Sequence, residues 1–283
     1  MAKSNGKTAL VTGSTDGVGR VVAERLADGG WRVLVHGRDR ARGESLVAKI
    51  KVDGGDAEFL PADLATMAEV RRLAEAVQQA TPRLHLLINN AGLGSGVSRT
   101  DRQTSADGHE LLFAVNYLAG FLLTHRLLPL LRNSAPARIV NVSSLGQQAI
   151  DFDDVMLARG YSGSRAYCQS KLAQILFTID LADELAGSGV TVNTLHPATY
   201  MNTTMVRQSG VTPISSVEKG ADAILKLAVA PELEGKSGLY FNGQDQARAN
   251  AQAYDADARQ KLRALSIALS GMSAKEHSAS VAS

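Results

Sequence analysis

Short apolar runs alternate with longer stretches of helical spacing along most of the chain. Thr8–Val11, Arg32–His36, Ala57–Leu60, His85–Ile88, Arg138–Val142, Val190–Leu195 and Leu239–Phe241 are the runs that predict strands. Between them, Val18–Gly29, Asp39–Val52, Met67–Ala80, His109–Leu131, Arg165–Ala186 and Ser216–Ala230 predict helices. Ala9-Leu10-Val11 and Leu86-Leu87-Ile88 are apolar without alternation, the pattern of a strand covered on both faces. Repeated strand–helix–strand units with right-handed crossovers build a doubly wound parallel sheet, so an α/β fold with helices on both faces is expected. No repeat or composition break divides residues 1–283, which are read as a single domain. From about residue 272 the chain turns small and polar, and a flexible tail is expected.

Hydrophobic residues make up 45% of the chain and charged residues 20%, a balance that supports a packed core and excludes a disordered chain. The formal charge of +2 comes from scattered basic residues, so neither nucleic acid nor an anionic membrane is an expected partner. The most apolar long stretch, Phe113–Leu131, is broken by Asn116, His125, Arg126 and Pro129. A membrane span needs about 20 mostly apolar residues, so this stretch is expected to be a core helix and no membrane span is expected. Met1–Lys7 is short and polar, unlike a signal peptide. Cys168 is alone and can form no intrachain disulfide. A cytoplasmic location is the resulting expectation. The 6 histidines show no ligand spacing with cysteine or acids, so no metal is expected. Cys168 reads as a small core residue, and His196 as a packed strand-end residue.

Chemistry enters after the first strand, at Thr12-Gly13-Ser14-Thr15-Asp16-Gly17-Val18-Gly19. Glycines there allow a tight turn and a close backbone approach to a pyrophosphate, and the following helix offers unpaired N–H groups to the anion. The spacing is neither Gly-x-Gly-x-x-Gly nor that of an ATP or GTP phosphate loop. The second strand ends His36-Gly37-Arg38, with no acid where one would accept from a ribose 2′-hydroxyl. Asp39 falls one position late, and Arg38 can clamp a 2′-phosphate, so NADP(H) is favoured over NAD(H).

Tyr167 and Lys171 are four residues apart on a predicted helix, so both heads share one face. A tyrosine has a reference pKa near 10, and a neighbouring ammonium is expected to lower it toward the range of proton exchange. Ser144 ends the fifth strand at the sheet edge where doubly wound folds bind ligands, with Ser143 as its rival. Asn116 lies in the long helix after the fourth strand.

Thr-Gly-x-x-x-Gly-x-Gly, Asp63-Leu64, Asn89-Asn90-Ala91-Gly92, Ser144 and Tyr-x-x-x-Lys, in that order, resemble the short-chain dehydrogenases/reductases from about Lys7 to beyond Gly243. The resemblance implies a Rossmann-type domain that interconverts a carbonyl and an alcohol by hydride transfer with NADP(H). It implies that Asp63 and Leu64 contact adenine, and that Asn90, Ala91 and Gly92 border the cofactor. Ser144 would hold the substrate oxygen, Tyr167 exchange its proton, and Lys171 bind the nicotinamide ribose. Asn116 would link Lys171 to a water-mediated proton path.

The extra segment Asp151–Ser162, the helix text Ala166–Phe177 and the stretch Ala253–Ser266 are similar to the retinol-dehydrogenase and protochlorophyllide-reductase-like branch. That similarity implies an apolar ketone or aldehyde. Where the family has Pro-Gly, this chain has Pro197-Ala198, so the loop over the nicotinamide is expected to differ slightly. Pro197 and Thr199 are left beside the carboxamide. Tyr200–Pro213 reads as a lid or as an ordinary connecting loop. An NADP(H)-binding regulator without turnover and a reductase of carbon–carbon double bonds are the alternatives. A homodimer or homotetramer could form through Asp107–Leu131 and Arg165–Ala186.

Overall fold

The computed structural model describes residues 4–97 and 100–281. Met1–Lys3, part of the stretch read as unlike a signal peptide, and the last two residues of the tail lie outside the described residues. Strands β1 (Thr8–Val11), β2 (Arg32–Gly37), β3 (Asp56–Pro61), β4 (Leu86–Asn89), β5 (Ala137–Val142), β6 (Val190–His196) and β7 (Tyr240–Asn242) run parallel in the order 3-2-1-4-5-6-7. The order reverses between β1 and β4, which puts a ligand crevice at the carboxyl ends of those strands.

The helices are α1 (Gly17–Asp28), α2 (Arg40–Val52), α3 (Met67–Ala80), α4 (Leu111–Phe113), α5 (Ala119–Arg132), α6 (Gly163–Glu184), α7 (Thr204–Gln208), α8 (Val217–Val229), α9 (Ala256–Ser270) and α10 (Ala274–Val281). Several start where a short polar side chain accepts a free N–H of the first turn: Asp39 from Arg42, Ser162 from Arg165, Ser216 from Lys219. Side-chain alternation along β1 explains its continuous apolar text. Leu10 faces the core under α3, α5 and α6, while Ala9 and Val11 face the core under α1 and α8. The run Leu111–Arg132 is one helix with a π turn at Ala114–Leu118. It is long and apolar enough to cross a membrane, yet 83% of its most apolar window is buried in the protein, as expected of a core helix.

The C-terminal third departs from expectation. β8 (Asp245–Ala247) adds an antiparallel strand at the sheet edge. Its polar text carries no strand signal, and pairing with β7 alone makes it one. The expected flexible tail is instead helix α10, with His277 and Ser280 buried. It has no broad apolar stripe and is held by tertiary contacts: the His277 ring lies 4.7 Å from that of His125 on α5, and Glu276 pairs with Arg126 at 3.1 Å. Beside it, α9 is fastened to α6 by Arg263, whose Nε and Nη2 donate to Asp180 at 2.7 and 2.6 Å. The outer faces of α5 and α6, named above for self-association, therefore carry this chain's own C-terminal helices.

Candidate active site

The loop after β1 owes its shape to partners already within the chain. Gly13 N donates to His36 Nδ1 at 3.1 Å, and Ser14 N to His36 O at 2.9 Å. Ser14 Oγ donates to Val11 O and accepts from His36 N. Fully buried Ser14 thus shapes the loop rather than facing a phosphate, and His36, which the sequence reading used only to mark the strand end, is its main support. From the other side, Asn90 Nδ2 donates to Thr12 O at 2.8 Å, and Ala91 N to Thr12 Oγ1 at 3.0 Å. Gly13 has φ +64°, and a Cβ there would lie 2.8 Å from Ala91 Cα. A Cβ on Gly19 would lie 2.5 Å from Gly13 O. Only glycine fits either place, and the bare backbone runs into the N-terminus of α1, where the first N–H groups lack helical partners. Thr15, Asp16, Gly17 and buried Val18 form that turn, with Asp16 accepting from Gly17 N at 2.8 Å. This cradle suits a pyrophosphate.

At the far end of the groove, Arg38 is exposed with Nη1 4.0 Å from Asp63 Oδ2. Leu64 is buried beside it. Arg42, in the first turn of α2 and not singled out from the sequence, reaches Asp16 and Asp39 at 3.6 and 3.3 Å. Two guanidinium groups therefore stand near the carboxyl end of β2.

Tyr167, Lys171, Ser144 and Asn116 meet at the carboxyl ends of β4 and β5. The Ser143–Ser144 choice is resolved by direction: Ser143 Oγ donates to Lys171 O at 2.7 Å inside the protein. Ser144 Oγ instead accepts from Gly146 N at 3.0 Å. A Cβ added to Gly146 would lie 3.5 Å from both Ser144 Oγ and the Tyr167 ring, so the two functional groups border one space. Burial raises the Tyr167 pKa, and hydrogen bonding with Ser144 opposes that rise. The expected lowering by Lys171 does not appear. Lys171 Nζ lies 5.9 Å from the Tyr167 ring centre and donates to Val142 O and Gln174 Oε1 at 2.9 and 3.0 Å. Burial itself lowers the Lys171 pKa to about 7. The ammonium is thus weaker and further away than four-residue spacing suggested, and desolvation of the phenol dominates.

Asn116 sits in the π turn, a device frequent at functional sites. Its Oδ1 accepts from Leu93 N at 2.6 Å, and its Nδ2 donates to Leu93 O and Ser170 Oγ at 3.1 and 3.0 Å. The side chain thereby fixes the loop after β4. A Cβ on Gly92 would come within 3.2 Å of Asn116 Oδ1 and 3.4 Å of Lys171 Nζ, so glycine there keeps the entrance to Lys171 open.

Leu157 and Tyr161 of the extra segment pack with Leu93 and Leu112 around Tyr167, making an apolar wall. A cleft of about 350 Å³ is lined by Leu145, Gln147, Tyr240 and Arg248 among others. Tyr240 Oη donates to Ser144 O at 3.3 Å. After β6, Pro197 and Ala198 are buried. Among described non-glycine residues only Leu157 and Tyr200 have positive φ, so the left-handed turn lies at Tyr200, beyond Ala198. Thr199 Oγ1 is bonded to His196 Nε2 at 3.1 Å. His196 is buried, as expected, but its pKa falls to about 4 through burial and the nearby Lys171 charge. The segment read as lid or loop contains α7, none of whose residues is buried. It crosses the groove: Thr203 lies against Gly17, and Met205 against Gly94.

A family profile described as short chain dehydrogenase matches residues 7–212. Human retinol dehydrogenase 13 is 38% identical over 95% of this chain and 86% of its own length. Mouse retinol dehydrogenase 11 is 40% identical over 84% of this chain and 78% of its own. Among solved structures, a short chain dehydrogenase from Escherichia coli CFT073 complexed with NADPH superposes with a TM-score of 0.71 at 27% identity, covering 86% of this chain and 98% of its own.

Proposed function

We propose a function from one premise: this chain belongs to the short-chain dehydrogenase family, on its retinol dehydrogenase branch. It is an oxidoreductase of alcohols and carbonyls that uses NADP(H) and takes apolar ketones or aldehydes. The observation that carries this reading is the space shared by Ser144 and Tyr167, one helical turn from Lys171 and at the mouth of the glycine cradle. The NADPH of the Escherichia coli relative, together with Arg38 and Arg42 here, supports the phosphorylated cofactor. The wall of Leu93, Leu157 and Tyr161, together with the branch, supports an apolar substrate.

The loop from Gly13 to Gly19 would hold the pyrophosphate, Arg38 and Arg42 the 2′-phosphate, and Lys171 the nicotinamide ribose. When bound, the cofactor supplies or accepts a hydride at the substrate carbon. In the reducing direction, Ser144 and Tyr167 donate hydrogen bonds to the substrate oxygen as charge grows there. Tyr167 then passes its proton to that oxygen. Its raised pKa keeps the phenol protonated at neutral pH, the state a donor needs. Thr199, with Oγ1 bonded to His196 Nε2, would stand beside the nicotinamide carboxamide.

The test mixes the protein with NADPH or NADH and a panel running from small polar ketones to long apolar aldehydes, with Tyr167→Phe in parallel. Turnover favouring NADPH and apolar substrates, and lost in Tyr167→Phe, is the expected result. Tight NADPH binding without turnover on any carbonyl would favour a regulator. Folded protein that binds neither cofactor would overturn the reading.

A further inference from the structure

Outside the cleft, α5, α6 and α10 meet around His125, Glu184 and His277, residues far apart in the chain. The ring stack Phe113, Tyr117, Phe121, His125, His277 continues along α5 and α4 into α10. The protonation of His125 can be read from its neighbour. Ser280 Oγ donates to His277 O at 2.7 Å, an oxygen that can only accept, and with its one proton placed there it accepts from His125 Nδ1 at 3.0 Å. The His125 proton is therefore on Nδ1, and Nε2 carries a lone pair. That Nε2 is buried with no hydrogen-bond partner among the described residues, and so is Nε2 of His277. Ligand-type atoms of His125, Glu184 and His277 all lie within 4.8 Å of one another.

Two buried imidazole nitrogens left without partners at one spot call for a physical explanation. A proton shared between His277 and Glu184 does not supply one: His277 Nε2 is 3.7 Å from Glu184 Oε1, too far for a hydrogen bond, and His125 Nε2 would stay unpartnered. The charged groups around the cluster are Arg263, with Nη1 3.3 Å from Glu184 Oε1, and Asp180, which holds the other end of that guanidinium. Arg259 stands between Asp180 and Asp183 at 4.0 and 3.7 Å, and Arg126 is paired outward with Glu276. Arg263 is thus shared between two carboxylates, and the Glu184 carboxylate is left with capacity for a second cation.

We propose that His125, Glu184 and His277 form a binding site for a zinc-class divalent ion, ligated by His125 Nε2, His277 Nε2 and the Glu184 carboxylate. Two imidazoles and a carboxylate are a donor set that zinc takes, with a fourth position for water. Bonding of His125 Nδ1 to Ser280 is the outer-shell contact that fixes the tautomer and orientation of a metal-binding histidine. Ligand atoms about 2.0–2.1 Å from a tetrahedral zinc lie roughly 3.3 Å apart, so side chains whose ligand atoms lie within 4.8 Å of one another would draw closer around the ion. The bound ion would fasten the C-terminal helix α10 to α5 and α6.

The test uses the full chain without an affinity tag, stripped by chelator and dialysed against zinc ion alone. One zinc per chain should be retained, with a higher melting temperature in zinc than in chelator and no such rise in magnesium. Cobalt ion in place of zinc should give the visible absorption of a four-coordinate centre. His277→Gln and Glu184→Gln should each lose the retained ion while keeping NADPH binding and turnover. Failure of the unaltered chain to retain zinc would overturn the proposal. So would undiminished retention by His277→Gln, or a six-coordinate cobalt spectrum. Because turnover in the cleft is read separately, failure here leaves the catalytic reading intact, and the reverse holds too.

Discussion

Lys171 in the cleft and His125 under α10 are both fully desolvated ionisable groups, yet their surroundings differ. Lys171 Nζ has a backbone carbonyl and Gln174 as partners, Ser143 holds the Lys171 backbone, and Asn116 is bonded on both sides of its amide. Each of these polar groups has a protein partner that keeps it aimed. Under α10, His125 and His277 each bury an Nε2 atom that has no hydrogen-bond partner among the described residues. In the cleft, the partners are protein atoms that a substrate or cofactor joins. In the C-terminal cluster, the partner that completes the set is proposed to come from outside. Burial alone therefore does not mark a site; whether the buried groups are already satisfied separates a pre-organised cleft from an incomplete one.

The comparison breaks most visibly at Tyr167. Removing its hydroxyl as Tyr167→Phe should lower turnover by about 100- to 10,000-fold, with NADPH binding by fluorescence unchanged. A fall of less than about tenfold would mean that another group supplies the proton. At the other end of the groove, Arg38→Ala should weaken NADPH by roughly 10- to 100-fold, as loss of charged hydrogen bonds costs about 1.5–3 kcal/mol. NADH binding should scarcely move, and equal loss of both cofactors in titration would place the 2′-phosphate elsewhere.

The C-terminal region should respond in stability instead. Arg263→Leu leaves buried Asp180 with only the more distant Arg259, whose Nε is 4.0 Å away. Losing one partner of a buried pair costs about 3–5 kcal/mol. Because the Arg263 side chain is 35% exposed, a loss of about 2 kcal/mol is expected, read as an earlier urea midpoint with turnover of the remaining folded protein unchanged.

The smallest effect is a pH slope at His36. Burial lowers its pKa from 6.5 to about 4, so the unfolded chain takes up a proton before the folded one does. The stability from neutral His36 is complete above pH 6.5 and is lost as pH falls from there toward 4. That loss is about 1.4 kcal/mol per pH unit for one group. Burial of Glu184, whose pKa rises to about 7, works in the opposite direction over part of this range, so the variant comparison matters more than the absolute slope. His36→Asn keeps an acceptor for Gly13 N but cannot titrate. Urea midpoints for this variant should fall less steeply between pH 6.5 and 5 than for the unaltered chain. Parallel slopes would show that His36 is not the responsible group.

Features set by residues close together in the chain were legible without coordinates. The runs around Leu10 and Leu87 specified covered strands, Gly13, Gly17 and Gly19 specified a tight turn into α1, and four-residue spacing placed Tyr167 and Lys171 on one helix face. Each depends on backbone geometry within a turn or two, which local sequence controls. Tertiary structure decided the rest. It chose Ser144 over Ser143 by turning one inward to Lys171 O, and it gave His36 to Gly13. It made a strand of Asp245–Ala247 and a docked helix of Ala274–Val281. It also brought His125, Glu184 and His277 together. In these cases the deciding partner lies on another element or far along the chain, and its contribution exists only once the elements have packed.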